Sequence, residues 1–148
     1  MVQTLELPYG KNSLRFLLDA KTQVAQATLN TLPEIDLAGE LIAALDDPIH
    51  SQPLEQLAKG LESVLILCDD NTRPTPAHLI LPSVLQRLDL AGVKREHIKI
   101  LIAGGSHRPM TEEEMIAKVG EEVYRSVQVL NHEFDNKDRL VYLGDTKN

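Results

Sequence analysis

The chain has 148 residues, 43% of them apolar, and a formal charge of -7 from 22 acidic and 15 basic side chains. That is the length of one domain, or of part of a larger one, and it is enough to bury a real core. The acidic balance, with no basic run interleaved with aromatics, excludes the electrostatic footprint of a nucleic-acid or anionic-membrane binder.

Aromatics make up 3% of the chain and tryptophan is absent, so Leu, Ile, Val and Ala must build the core. The single cysteine, Cys68, rules out an intrachain disulfide. Met1-Val2-Gln3-Thr4 leads into alternation rather than the long apolar stretch of a signal peptide. No run approaches the roughly 18 apolar residues that a spanning helix needs. A cytoplasmic protein is expected.

In chain order, "TLELPYGKNSLRFLLD" predicts a hairpin. Leu5 and Leu7 alternate with Thr4 and Glu6, and Leu14, Phe16 and Leu18 alternate with Arg15 and Leu17 across a Pro8–Asn12 turn. "PEIDLAGELIAALDD" has helical spacing from Pro33, with Leu37, Ala38, Leu41, Ile42 and Leu45 on one face and Pro48 beyond its end. "PLEQLAKG" predicts a short helix capped by Ser51 and stopped by Gly60. "SVLILC" is apolar on both faces, as a buried parallel strand is. "TPAHLILPSVLQRLDLAG" predicts a helix with Thr75 as N-cap, Pro76 at the first position and Gly92 as stop. Pro82 inside it predicts a kink or a later start. "HIKILIAGG" is a second buried strand, and "TEEEMIAKVG" a short helix with a Thr111–Glu114 capping box. "SVQVL" and "RLVYLG" predict two more strands around a loop at His132. Strands alternating with helices from Ser63 onward predict a doubly wound, Rossmann-like α/β sheet, mostly parallel, with flanking helices and an N-terminal β-hairpin. "YLGDTKN" stops in a polar turn where an α/β unit would continue, so an incomplete domain is expected.

Ligands of open α/β sheets bind beyond the carboxyl ends of the strands. Two segments sit there: Asp69-Asp70-Asn71-Thr72-Arg73-Pro74 and Gly104-Gly105-Ser106-His107-Arg108-Pro109. If their strands are neighbours, both loops meet at one mouth, each running into a helix start that favours an anion. Arg73 offers a fork for carboxylate or phosphate. Asp70, three residues earlier, could orient that guanidinium or accept from a sugar hydroxyl, and Thr72 adds a hydroxyl. His107 is the side chain suited to move protons near neutral pH. The same residues admit a plainer reading as Asx turns and caps on ordinary connectors. His50, His78, His97 and His132 stand singly. One His among acids is a poor metal signal, and Cys68 reads as a small core residue. "EEEMIAKVGEE" reads as a solvated charged face. Neither a Walker A pattern nor a G-x-G-x-x-G follows the first strand.

With those residues in place, the chain resembles the N-terminal part of the nickel-dependent lactate racemase family. The resemblance runs through "LELPYGK" and "DDPIHSQPLEQLAKG" and is strongest at "DDNTRPTPAHLILPSVLQRL" and "IAGGSHRPMTEEE". It implies an enzyme that interconverts stereoisomers of a 2-hydroxy acid, using a nickel pincer nucleotide (a pyridinium mononucleotide with two thiocarboxyl arms) as hydride acceptor. It implies that His107 is one of two alternating bases and that Asp70, Asn71, Thr72 and Arg73 contact the cofactor. It also implies that residues 1–148 are the N-terminal portion of the racemase's N-terminal α/β domain. The second base, the covalently attached lysine and the nickel ligand fall in a later segment, so this piece assigns no metal ligand of its own. Alone it is expected to be inactive and to hold no nickel tightly, its missing partners being a 2-hydroxy acid and the rest of its own chain. Two other readings stay open: a stand-alone anion- or nucleotide-binding module, or one subunit of a split enzyme; and a different enzyme of similar architecture with His107 as general base on a phosphorylated substrate.

Overall fold

A computed structural model of the chain describes residues 3–25, 27 and 34–146. The chain divides into two compact units, Met1–Glu34 and Ile35–Asn148. The first holds the expected hairpin, β1 (Gln3–Tyr9) and β2 (Asn12–Leu18), antiparallel around Gly10 and Lys11. Leu5 faces Phe16 and Leu7 faces Leu14, which gathers the apolar positions on one face, while Glu6 and Arg15 pair on the other.

The second unit is built on a three-stranded parallel sheet in the order β3 (Val64–Cys68), β4 (Ile98–Ile102), β5 (Gln128–Asn131). Its helices are α1 (Leu37–Asp46), α2 (Leu54–Leu57), α3 (Ala77–Leu90), α4 (Glu112–Val119) and α5 (Glu121–Ser126). Helix α3 carries the core: Ala77, Leu81, Leu85 and Leu88 recur at helical spacing, and all are buried. They meet Ile98, Ile100 and Ile102 of β4, which are buried as well. Arg87 on the outer side of α3 pairs with Asp46 and Glu55, tying α1 and α2 to it. The end of α3 is a Schellman motif. Val93 N–H reaches back to Leu88 O and Gly92 N–H to Asp89 O, with Gly92 at φ +84° as the glycine stop requires.

The sheet is covered on one face. Val64, Ile66 and Cys68 point toward the helices, whereas Leu65 and Leu67 are 58% and 67% exposed. The apolar-on-both-faces pattern of β3 is real, but among the described residues only one side of it is used. Several local expectations are also corrected. Ser51 does not cap α2: Pro53 holds the N-cap position and the Ser51 hydroxyl bonds Gln52 O. Thr75 does not cap α3, because its hydroxyl donates to Asp69 Oδ2 at 2.5 Å; Pro76 is the N-cap and Ala77 the first helical residue. The helix runs through Pro82, so no later start occurs. Pro33 lies outside the described residues. On the expected face of α1, Leu37, Leu41 and Leu45 are half-buried, but Ala38 and Ile42 are exposed. "RLVYLG" forms no strand. A 3₁₀ turn at Lys137–Arg139 takes in its first residue, and Val141, Tyr142 and Leu143 are exposed, with no neighbouring strand among the described residues to pair with. Helix α5 was not expected; Gly120, at φ +89°, ends α4 and lets a second short helix begin at once. No helix among the described residues is long and apolar enough to cross a membrane.

Candidate functional site

Strands β3 and β4 are parallel neighbours, so the loops that leave their carboxyl ends, residues 69–76 and 103–109, meet at one mouth. The first link is backbone: Ala103 N–H donates to Cys68 O at 2.7 Å, extending the ladder one step past the strands. The first loop then turns tightly. Arg73 N–H bonds Asp70 O, and Asp70 Oδ1 accepts from Thr72 N–H at 3.1 Å and from the Thr72 hydroxyl at 2.5 Å. This is an Asx turn, as the plainer sequence reading allowed. The second loop turns through His107 N–H to Gly104 O, with Gly105 at φ +59°, where a side chain would be strained.

The two turns aim their side chains at each other. Asp70 Oδ2 lies 2.5 Å from His107 Nδ1. Asp70 has one oxygen committed to its own loop and the other to the base across the mouth. The carboxylate is sheltered at 7% side-chain exposure while the imidazole is 56% exposed, so the ring is held yet reachable. Asp70 is therefore not the partner of Arg73. Its pKa is lowered to about 2 by the Thr72 hydroxyl and then by His107, so it is ionised at neutral pH. An ionised Asp70 can only accept, which fixes a neutral His107 as the Nδ1–H tautomer and leaves Nε2 with a free lone pair. A cavity of about 300 Å³ opens beside them, walled by Asp70, Thr72, Arg73, Gly104, Ser106 and His107. Arg108 is engaged by Glu114 at 2.6 and 2.8 Å. Arg73 forms no ion pair with a carboxylate among the described residues and borders the cavity. Asn71 does not join the group: its amide turns outward and donates to Glu114 Oε1 at 3.1 Å.

Cys68 is buried, and burial raises its thiol pKa. His97 is exposed ahead of β4, and His78 is exposed on the first turn of α3. His132 continues the ladder through its N–H to Ile102 O. No group of three or more His, Cys, Asp or Glu among the described residues could hold a metal ion. One sequence reading was wrong. "EEEMIAKVGEE" is not a purely solvated face, because Lys118 is buried and spans back to the first loop. A signal was present: Lys118 follows Glu114 by four residues and Thr111 by seven, the spacing of one helix face.

Glu114 is the hub of the second loop. It closes the capping box with Thr111, binds Arg108 and accepts from Asn71, and these contacts, Arg108 first, lower its pKa to about 2. Carboxylates held low in the folded state contribute stability that is complete above their ordinary range near pH 4 and lost as pH falls toward 2. The thermal midpoint should therefore drop between about pH 5 and pH 2. Glu114→Gln should lower the midpoint at pH 6, and its gap to the parent should narrow steadily below about pH 4 and close only as pH falls through about 2. A gap that persists at low pH would mean that the charge on Glu114 is not what stabilises.

Residues 9–148 match the family described as the lactate racemase N-terminal domain. The chain is 35% identical over 146 residues to the lactate racemase of Lactiplantibacillus plantarum, covering 95% of this chain and 34% of that protein. It is 34% identical over 143 residues to the lactate racemase of Thermoanaerobacterium thermosaccharolyticum, with 95% and 33% covered. The structure of the lactate racemase apoprotein from the latter organism superposes with a TM-score of 0.68 at 29% identity, over 96% of this chain and 33% of that one. A Thermotoga maritima protein superposes with a TM-score of 0.51 at 33% identity, over 62% and 22%. The chain thus spans about a third of the length of the curated relatives it matches. With the match running through both strand-end loops and nearly the whole sequence, this chain belongs to the lactate racemase N-terminal domain family.

Proposed function

We propose that this chain is the N-terminal part of a racemase or epimerase acting on a 2-hydroxy acid, and that the mouth between residues 69–76 and 103–109 is half of its active site. The observation that carries this is the Asp70–His107 pair standing beside Arg73, which no carboxylate engages among the described residues. His107 Nε2 is the base for the substrate hydroxyl. It takes that proton as the α-carbon is oxidised and returns it when the alcohol re-forms. Asp70 holds the ring in the productive tautomer and stabilises the imidazolium that forms. Arg73 binds an anionic group, the substrate carboxylate or a nucleotide phosphate. Racemisation needs a second base facing the opposite side of the substrate, and the resemblance puts that residue in a later segment.

The nickel pincer nucleotide implied by the resemblance fits this segment in part. Arg73 and Thr72 wall a polar cavity that suits the anionic nucleotide, and Asp70 stands in its wall, whereas Asn71 is turned away. The described residues supply no metal-ligating cluster, so nickel would be held from elsewhere in the protein. When bound, the group supplies the acceptor for the substrate's α-hydrogen; this chain's part is to hold the anion and move the hydroxyl proton. The remainder of the Rossmann-like domain, a C-terminal domain and a cytoplasmic setting belong to the same proposal.

The test is racemisation. Full-length protein containing this segment, loaded with nickel and the cofactor, should convert L-lactate or another short 2-hydroxy acid to a mixture of stereoisomers, followed by chiral chromatography. The 148-residue chain alone should convert none. Turnover by the isolated chain, or none with any 2-hydroxy acid by the loaded full-length protein, would overturn the proposal.

A further inference from the structure

Lys118 and Asp70 are the buried charged residues among those described, and nothing in the chemistry above uses Lys118, whose side chain is 6% exposed. It lies on the last turn of α4, after the second loop, yet its ion pair and side-chain hydrogen bonds are to the first loop. Its Nζ stands 2.6 Å from Asp69 Oδ1, 3.0 Å from Arg73 O and 3.2 Å from Thr75 O. The ammonium donates to the two backbone carbonyls and forms an ion pair with the Asp69 carboxylate. A buried lysine is costly unless it is paired and hydrogen-bonded in this way. One turn earlier on the same helix, Glu114 takes Asn71 from the first loop and Arg108 from the second.

We infer that Lys118 is a positioning residue. With Glu114 it makes α4 a bracket that clamps the loop of residues 69–76 against the loop of residues 103–109, and so sets the register in which Asp70 meets His107. The inference rests on the proposed role of His107 as base. The geometry gives the reason for a cation here. The carbonyls of Arg73 and Thr75 are turned toward α4, while Thr72 and Arg73 border the cavity between the loops. A cation beneath the loop holds those carbonyls down and so keeps the side chains up. Lys118 itself does not line the cavity between the loops.

The experiment needs no turnover and uses the whole chain. Amide hydrogen exchange is measured at Thr72 and Arg73, and at Ile66 and Ile100 as core references, in the parent and in Lys118→Met. The His107 ring tautomer is read from long-range proton–nitrogen correlations at about pH 8.5. In the variant, exchange at Thr72 and Arg73 should rise about tenfold or more beyond any change at Ile66 and Ile100. His107 should move from the Nδ1–H tautomer toward the Nε2–H form that free imidazole prefers. Equal acceleration at loop and core would overturn the inference, since Lys118 would then serve only global stability. A loosened loop with the His107 tautomer unmoved would overturn it too. A parent chain without the Nδ1–H tautomer would strike the Asp70–His107 pairing first, which marks failure of the functional reading rather than of Lys118 alone. Should Lys118→Met not fold, Asp69→Asn carries the same test, because it removes the charge partner and keeps both carbonyl contacts. It should shift both readouts the same way, and its leaving both unmoved would count against the bracket.

Discussion

Replacing His107 with Ala in the full-length protein should lower kcat for racemisation by about 10²–10⁴-fold, the usual cost of losing a positioned base. Binding should change far less, because the anion contact at Arg73 is untouched. The informative companion is Asp70→Asn. An amide can accept from Thr72 N–H as the carboxylate does, so the loop turn survives, but it cannot enforce the tautomer or stabilise an imidazolium. Its kcat should fall by about 10²-fold or more with KM little changed. Equal activity in Asp70→Asn and the parent would mean that the 2.5 Å pairing has no part in catalysis. A His107 variant with parent kcat would remove the residue from the mechanism.

Ile100→Ala should cost about 2–5 kcal/mol, the range for deleting most of a buried aliphatic side chain and leaving a cavity. Ile100 is fully buried at the middle of the central strand, in register with Ile66 on one side and Val129 on the other. Against a typical total of about 5–15 kcal/mol this is a large fraction, and the thermal midpoint should fall by roughly 5–20 °C. Leu67→Ala is the control. It removes similar apolar volume from the adjacent strand, but from the open face, where the side chain is 67% exposed. That change should stay near 0.5 kcal/mol in this chain, in the ordinary range for surface substitutions. Equal losses at Ile100 and Leu67 would mean that the second face of the sheet is not open in solution.

What the sequence made legible was local or periodic. Alternation marked β1 and β2, an unbroken apolar run marked β3, an isoleucine-rich run with one lysine marked β4, and the Thr111–Glu114 spacing marked the start of α4. The meeting of the two loops was legible too, given only that their strands are neighbours. What was not legible came from partners distant in the chain. Asp70 finds His107 at a separation of 37 residues, and Lys118 finds Arg73 at 45. Composition alone reads a lysine between glutamates as solvated, and only the loop folded over α4 buries it. "RLVYLG" has the residues of a strand, yet strand propensity is realised only against a paired neighbour, and the described sheet offers none. Thr75 had the chemistry of a cap, but Asp69 competes for its hydroxyl.

The open face of the sheet is not uniform. Leu67, Leu101 and Leu130 lie side by side across the three strands, one step below the loops that carry Asp70 and His107. Two residues further down, Leu65, Lys99 and Gln128 form the next row, and it is mostly polar. A layer packed over this face would therefore meet a graded surface, greasy under the mouth and wet at the far end. A helix that crosses it would seat its bulkiest aliphatic side chains under the mouth, and over Lys99 it would have to place an acid or leave the ammonium a path to water. The floor beneath Asp70 and His107 is consequently a joint. Its stiffness would then depend on that second layer as well as on the helices beneath the sheet.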